Sequence, residues 1–187
     1  MNRADQVRLS GAKRGFFIWR DMIRRTEQWH GRKSLAYIDV SVCDEWKDFE
    51  KFSDWYMNYQ GKKQGFHLDK DLLSRGSGIY SPDTCCFLPA SINQMLTSRR
   101  SDSGDTPGVY RQRDRFLARV RHKGAQRHVG SFSSAEEAYG AYLAKKREIL
   151  QLEANKFKPD LPAEVFQALM SYDYAKPRHS TQGSSKP

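Results

Sequence analysis

The strongest constraint on how this chain folds is the alternation in Arg115-Phe116-Leu117-Ala118-Arg119-Val120-Arg121. Residues two apart share one face of a strand, so Phe116, Ala118 and Val120 form an apolar face while Arg115, Leu117, Arg119 and Arg121 form a basic one. Flanking segments Val109 to Arg113 and Gln126 to Phe132 also read as strands, the latter joined to the middle strand through Lys123-Gly124. Ser133-Ser134-Ala135-Glu136-Glu137 then supplies a helix N-cap followed by acids that favour the helix dipole. From Ala138 to Leu152 the pattern continues as a helix rich in Ala and Tyr (Ala138, Tyr139, Ala141, Tyr142, Ala144), suited to cover the apolar face. The expected unit is a three-stranded antiparallel sheet packed on one helix, with its arginine face open.

Charge indicates the kind of partner such a face would take. The 187 residues include 32 Lys or Arg against 22 Asp or Glu, a net charge of +10, with an isoelectric point near 9.6. Between Arg99 and Phe132 there are nine basic residues (Arg99, Arg100, Arg111, Arg113, Arg115, Arg119, Arg121, Lys123, Arg127) and three acids (Asp102, Asp105, Asp114). More than half of the surplus therefore lies in this segment, as a duplex-binding surface needs. No apolar run approaches the roughly 18 residues of a membrane span, and mean hydropathy is −0.81. The start has no apolar core of a secretory signal before Lys13-Arg14. A cytoplasmic protein without membrane partners is expected, in the host cytoplasm if the chain is phage-encoded. Cys43, Cys85 and Cys86 read as reduced thiols; adjacent cysteines seldom chelate one tetrahedral ion, so zinc, with or without His30 or His67, is not expected.

The first half of the chain has a different pattern. Phe16, Ile18, Trp19, Met22, Ile23 and Thr26 recur at near-helical spacing and predict an amphipathic helix from Phe16 to Trp29. Leu35 to Val42 carries β-formers, and Asp44 to Tyr59 bears an aromatic stripe (Trp46, Phe49, Phe52, Trp55, Tyr56, Tyr59) that predicts a second, core-packed helix. After a loop from Gln60 to Gly65, apolar stretches Phe66 to Leu73 and Tyr80 to Leu88 predict strands, and Pro89-Ala90-Ser91 opens a short helix through Ile92, Met95 and Leu96. The fold class expected is α+β. Its organisation reads as residues 1–98, a polar Gly/Pro-punctuated linker 99–107, the sheet-and-helix module 108–152, a C-terminal helix within 153–175 opened by Pro162, and a disordered tail 176–187.

Two segments resemble known families. Gly108-Val109-Tyr110, Phe116-Leu117-Ala118-Arg119-Val120 and His128-Val129-Gly130-Ser131-Phe132-Ser133-Ser134-Ala135-Glu136-Glu137-Ala138-Tyr139-Gly140-Ala141-Tyr142 resemble, over about 45 residues, the Apetala-two DNA-binding domain of phage and bacterial homing-endonuclease-like proteins. The resemblance implies a sheet lying in the major groove, with Tyr110, Gln112, Arg119, Arg121, Gln126 and His128 facing it. Arg or Trp is often found in the family at the positions held here by Tyr110, Gln112, Gln126 and His128.

Upstream, Val40-Ser41-Val42-Cys43-Asp44-Glu45-Trp46, His67-Leu68-Asp69-Lys70-Asp71 and Tyr80-Ser81-Pro82-Asp83-Thr84-Cys85 up to Asn93 are similar to a degenerate HNH finger, a ββα His-Me finger-like module. The resemblance implies that Asp69 and Asn93 stand at the metal-ligand positions, with Mg²⁺ or Mn²⁺ the ion if the site is active. Lys70 stands where the general-base histidine belongs, and Thr84 replaces the asparagine that orients it. A lysine ordinarily keeps its proton at neutral pH and cannot deprotonate water. His67, two residues upstream on the same strand face as Asp69, is the candidate for a displaced base, and Tyr80 is a weaker nucleophile candidate. Three functions follow: a double-stranded DNA-binding protein of homing-endonuclease ancestry with nuclease activity weak or lost; a metal-dependent endonuclease of homing type using His67 or another base; and a phage-encoded inhibitor of a host nucleic-acid enzyme or defence protein, served by aromatic anchors such as Phe16, Phe17 and Trp19.

Overall fold

The computed structural model describes residues 3–27 (side chains from 11 onward), 39–74, 76–96 and 106–175. The chain is α+β, and its described residues form two compact units that divide between Leu88 and Pro89. The linker assigned to 99–107 falls mostly outside the described residues, as does the tail 176–187; so do Trp29, His30 and the first part of the strand expected from Leu35.

The first unit opens with α1 (Arg3–Thr26), which begins well before the Phe16 start set by amphipathic spacing. Its early turns contain Ala, Arg, Gln and Lys, strong helix formers, so propensity extends the helix beyond its apolar stripe. Arg24 and Arg25 occupy its last turn, where cations oppose the dipole's negative end. The segment expected as one helix from Asp44 to Tyr59 is two: a 3₁₀ turn, Asp44–Lys47, and α2 (Phe49–Asn58). Asp48 divides them because its carboxylate caps α2, accepting from the Glu50 N–H at 2.8 Å. The aromatic stripe nonetheless continues across the break into the core: Trp46 and Phe52 are fully buried, with ring centroids 5.0 Å apart and nearly perpendicular. The Trp19 indole donates to the Trp46 carbonyl at 2.8 Å and ties α1 to this layer.

Two short strand pairs complete the unit. β1 (Ser41–Val42) runs parallel to β3 (Ile79–Tyr80), and β2 (Phe66–Asp69) pairs with β4 (Cys86–Pro89). All four residues of β4 are buried, including Cys86, Phe87 and Leu88. A strand buried on both faces shows no alternation, consistent with its continuous apolar run.

In the second unit, α3 (Ala90–Leu96) follows β4 directly in sequence and buries Ile92 and Leu96. The three-stranded antiparallel sheet then forms in the order β5 (Val109–Gln112), β6 (Arg115–His122), β7 (Ala125–Phe132). Lys123 and Gly124 both adopt positive φ, 52° and 78°, the geometry of a two-residue hairpin turn whose twist matches the flanking strands. α4 (Ala135–Lys156) is capped by Ser134, whose hydroxyl accepts from the Glu137 N–H at 3.2 Å. The Glu137 carboxylate accepts in turn from the Ser133 hydroxyl at 2.7 Å and its N–H at 3.2 Å, and these bonds hold it below the usual carboxylate range. α4 packs on the sheet, burying Ala138, Ile149, Leu150 and Ala154 along its length while Ala118 and Val120 are buried on β6. α5 (Ala163–Met170), preceded by Pro162, buries Val165, Phe166 and Leu169, packs on α4, and receives a hydrogen bond from Gln151 to the Met170 carbonyl at 2.8 Å.

Candidate nucleic-acid interface

Register decides which side chains share the open face. Across the β5–β6 ladder Tyr110 is opposite Leu117 and Gln112 opposite Arg115; across β6–β7 Arg119 is opposite His128 and Arg121 opposite Gln126. Cross-strand partners lie on the same face. Tyr110, Gln112, Arg119, Arg121, Gln126 and His128 therefore lie together, with Arg115 and Ser131. Val120 pairs with Arg127 and Phe116 with Arg111, so Arg111 and Arg127, although exposed, belong to the ladder positions of the other face. The register shifts between Ala118 and Arg119, leaving Val129 as an extra residue in β7. That bulge brings both His128 and Ser131 to the open face, which strict alternation would forbid for residues three apart.

Most of this face is exposed, Tyr110 to 45%, but Leu117 is only 9% exposed although alternation assigns it to the basic face. Arg115 is fixed across the sheet, donating to the Ser131 carbonyl at 2.8 Å and to its hydroxyl at 3.3 Å. The Arg119 guanidinium carbon lies 5.4 Å from the centre of the Tyr110 ring, within cation–π range. Gln126 donates from its amide to the Tyr110 hydroxyl at 3.1 Å. Tyr110 thus contacts two of the candidate side chains, Arg119 on β6 and Gln126 on β7. None of Arg115, Arg119 and Arg121 forms an ion pair among the described residues, and no open-face ladder position holds a carboxylate.

Where β5 begins, a hollow of about 360 Å³ opens between Gly108, Tyr110, Arg119, Arg121, Gly124, Gln126 and Tyr142. Gly108 is required there twice over: its φ is +77°, and a Cβ would lie 2.2 Å from the Tyr142 ring. Tyr142 comes from α4, and burial raises its hydroxyl above the ordinary value. Sequence reading named neither Tyr142 nor Arg115 as a site residue. Alternation already placed Arg115 on the basic face, and the signal for Tyr142 was a glycine immediately before a strand. At the same end of β6, on the opposite face, Glu153 of α4 is 7% exposed and binds Lys156 at 2.7 Å and His122 at 3.1 Å. The Lys156 hydrogen bond, then that of His122, holds its carboxyl low against the opposing effect of burial. This cluster anchors the arginine-bearing strand to the helix beneath it.

The finger-like segment is organised otherwise. Asp69 is 6% exposed, and its Oδ1 accepts from the backbone N–H of Asp71 at 3.1 Å and of Leu72 at 2.8 Å, closing the turn that leaves β2. Lys70, also 6% exposed, donates to the Asp71 carboxylate at 2.6 Å and lies 5.7 Å from the Tyr80 ring centre. Tyr80 is buried. Thr84 donates to the Ile79 carbonyl at 2.7 Å and accepts from the Ser81 N–H at 3.0 Å, serving the turn before β4. Burial pushes the Cys85 thiol up to about 12, against hydrogen bonds from Ser81 and Thr84 that pull it down. His67 is exposed while Asp69, two residues on, is buried. Asp69 lies in the first unit and Asn93, on α3, in the second. Among the described residues no group of three or more His, Cys, Asp or Glu side chains is placed to hold a metal ion, and no helix is long and apolar enough to cross a membrane.

In comparisons with known proteins, no family model, no curated protein and no solved structure matches this chain.

Proposed function

We propose that this chain is a double-stranded DNA-binding protein of homing-endonuclease ancestry, which binds through the open face of the β5–β6–β7 sheet and whose nuclease activity is weak or lost. One observation carries the reading: Arg115, Arg119 and Arg121 share a face with Tyr110, Gln112, Gln126 and His128, and no carboxylate from the described residues pairs with any of the three arginines. Apart from Glu137 within electrostatic reach of Arg115, the counter-charge for such a face comes from outside, and a regularly spaced polyanion supplies it. The arginines provide forked donors suited to phosphate or to a guanine edge, and the glutamines the paired donor and acceptor suited to adenine. The three-stranded antiparallel sheet with α4 packed on it is the arrangement that the Apetala-two resemblance implies.

The loss of hydrolysis follows from how the finger's polar groups are used. An ammonium donating at 2.6 Å to Asp71 is an acid rather than a base, and Asp69 spends one oxygen on two backbone amides. Fluorescence anisotropy with a labelled duplex at graded salt, beside incubation of supercoiled plasmid with Mg²⁺, Mn²⁺ or EDTA, tests both halves of the proposal. Binding that weakens steeply with salt and plasmid left intact are the expected results; metal-dependent nicking abolished by His67→Ala would restore the endonuclease reading. A protein partner is the second reading, favoured by the exposed Phe16 and Phe17 rings of α1. A folded chain that fails to bind any duplex would shift the assignment to it.

A further inference from the structure

The first unit contains an open cavity of about 740 Å³, remote in sequence from the sheet, bordered by Gly11, Arg14, Tyr56, Lys62, Lys63, Gln64, Gly65, Phe66 and His67. Four of these nine residues are basic or imidazole side chains, and none is acidic. Arg14 and Lys62 are half-buried. Neither has a carboxylate partner among the described residues. Both are held by backbone carbonyls: Arg14 donates to Lys63 O at 2.6 Å and Phe66 O at 3.4 Å, and Lys62 to Met57 O at 2.7 Å and Tyr59 O at 2.9 Å. Lys62 also lies 5.6 Å from the centre of the Tyr56 ring. These contacts fix the cations in place without supplying an anion, and each retains N–H donors, since a guanidinium carries five and an ammonium three. Burial lowers the Lys62 ammonium from its ordinary value, the direction expected of a cation withdrawn from water with no anion beside it. The exposed ring of His67 lies on the same cavity.

We propose that this cavity binds a phosphate group, with Arg14 and Lys62 as its fixed cations and His67 as a rim donor. It is a site separate from the sheet face and does not rest on the DNA-binding reading. Two sources offer the chemistry, a free phosphorylated small molecule and the backbone of a nucleic acid. The test is a ¹H–¹⁵N titration of the full chain with sodium phosphate, and in parallel with sodium chloride, at matched ionic strength and pH. Phosphate should shift the amides of Gln64, Gly65 and His67 saturably while chloride does not. Arg14→Gln should weaken phosphate binding about tenfold, the loss expected of one charge-assisted contact. If that variant is not folded, His67→Ala, at an exposed position, should still weaken binding by about threefold. A 12-base-pair duplex added to the Arg119→Ala/Arg121→Ala protein identifies the source: shifts at the same three amides assign the site to nucleic-acid backbone, and their absence, with phosphate still active, to a small phosphorylated ligand. Identical, non-saturating shifts with phosphate and chloride would overturn the proposal, as would full phosphate affinity in a folded Arg14→Gln protein.

Discussion

Two strand-borne clusters of charge, one in each unit, behave in opposite ways. Around β2, Lys70 is paired with Asp71 at 2.6 Å and Asp69 with two amides, and both residues are 6% exposed. On β6, Arg115 and Arg121 are exposed, Arg119 is half-exposed, and their contacts are carbonyls, a serine hydroxyl and a tyrosine ring, with Glu137 within electrostatic reach of Arg115. A charge count already separates them, −1 for Asp69-Lys70-Asp71 against +3 for Arg115, Arg119 and Arg121, but it does not say where each charge is answered. The difference lies in the origin of the counter-charge: the first cluster carries its own as an ion pair, whereas the arginines of the second form no ion pair among the described residues, Arg115 alone lying within electrostatic reach of Glu137.

The largest effect should come from reversing charge on the open face. Arg119→Glu with Arg121→Glu is expected to cost about 4 kcal/mol of duplex affinity, on the order of a thousandfold, and to lower the salt slope by about two, with little change in stability. Anisotropy titrations at several salt concentrations, alongside urea unfolding, measure both quantities. Unaltered affinity would erase the contrast between the clusters. Asp69→Ala should do the reverse: the amides of Asp71 and Leu72 lose their acceptor, the latter buried, so stability falls by about 2–3 kcal/mol while duplex affinity holds in the folded protein. Weaker duplex binding by folded Asp69→Ala would mean that the first cluster also serves the interface.

This contrast was only partly legible in the sequence. Period-two alternation gave the three strands, and the capping pattern at Ser133-Ser134 gave the start of α4, because each rests on local geometry that a short window contains. The shared placement of Tyr110, Gln112, Arg119, Arg121, Gln126 and His128 came only as an implication of the Apetala-two resemblance, and the bulge at Val129 that sets the β7 register had no signal. In the first unit the signals were weaker. A single aromatic stripe concealed the break at Asp48, since core contacts continue across it, and the parallel pairing of β1 with β3 joins segments far apart in the chain. The ion pair of Lys70 is with Asp71, and nothing in Asp-Lys-Asp chooses between the two acids until the turn engages Asp69 with backbone amides.

A smaller effect sharpens the view of the first cluster as closed core. The thiol of Cys85 is raised by burial from its ordinary 9.0 to about 12. As pH rises above 9 the unfolded thiol ionises while the folded one remains neutral, so this contribution to stability is complete below pH 9 and is lost as pH approaches 12. The loss is about 1.4 kcal/mol per pH unit within that window. Tyr56 and Tyr142, also raised by burial, act in the same direction at higher pH, so the comparison should be made against Cys85→Ala. Urea unfolding at pH 8 and pH 10 should show a drop about 1 kcal/mol larger for the parent chain than for the variant. Equal drops would mean that the Cys85 environment admits water and is not closed.

The smallest predicted effect bears on whether the open face reads bases or only neutralises phosphates. Tyr110→Phe keeps the ring beside Arg119 but removes the hydroxyl that accepts from Gln126 at 3.1 Å. That bond is exposed, so its net worth is about 0.5 kcal/mol and total duplex affinity should change by no more than about twofold. The informative quantity is the affinity ratio between two unrelated duplexes. A Gln126 amide held in one orientation presents a fixed donor and acceptor to a base edge; released, it accommodates several, so the ratio should move toward one. If Gln126 contacts only backbone, both duplexes weaken equally and the ratio stays put. Tyr110→Ala also withdraws the ring from Arg119 and should weaken both duplexes further, by about 1 kcal/mol. Should Phe and Ala variants both match the parent chain on each duplex, Tyr110 organises nothing that DNA touches, and the contact surface must shift along β6 toward Arg115 and the Ser131 side of the sheet.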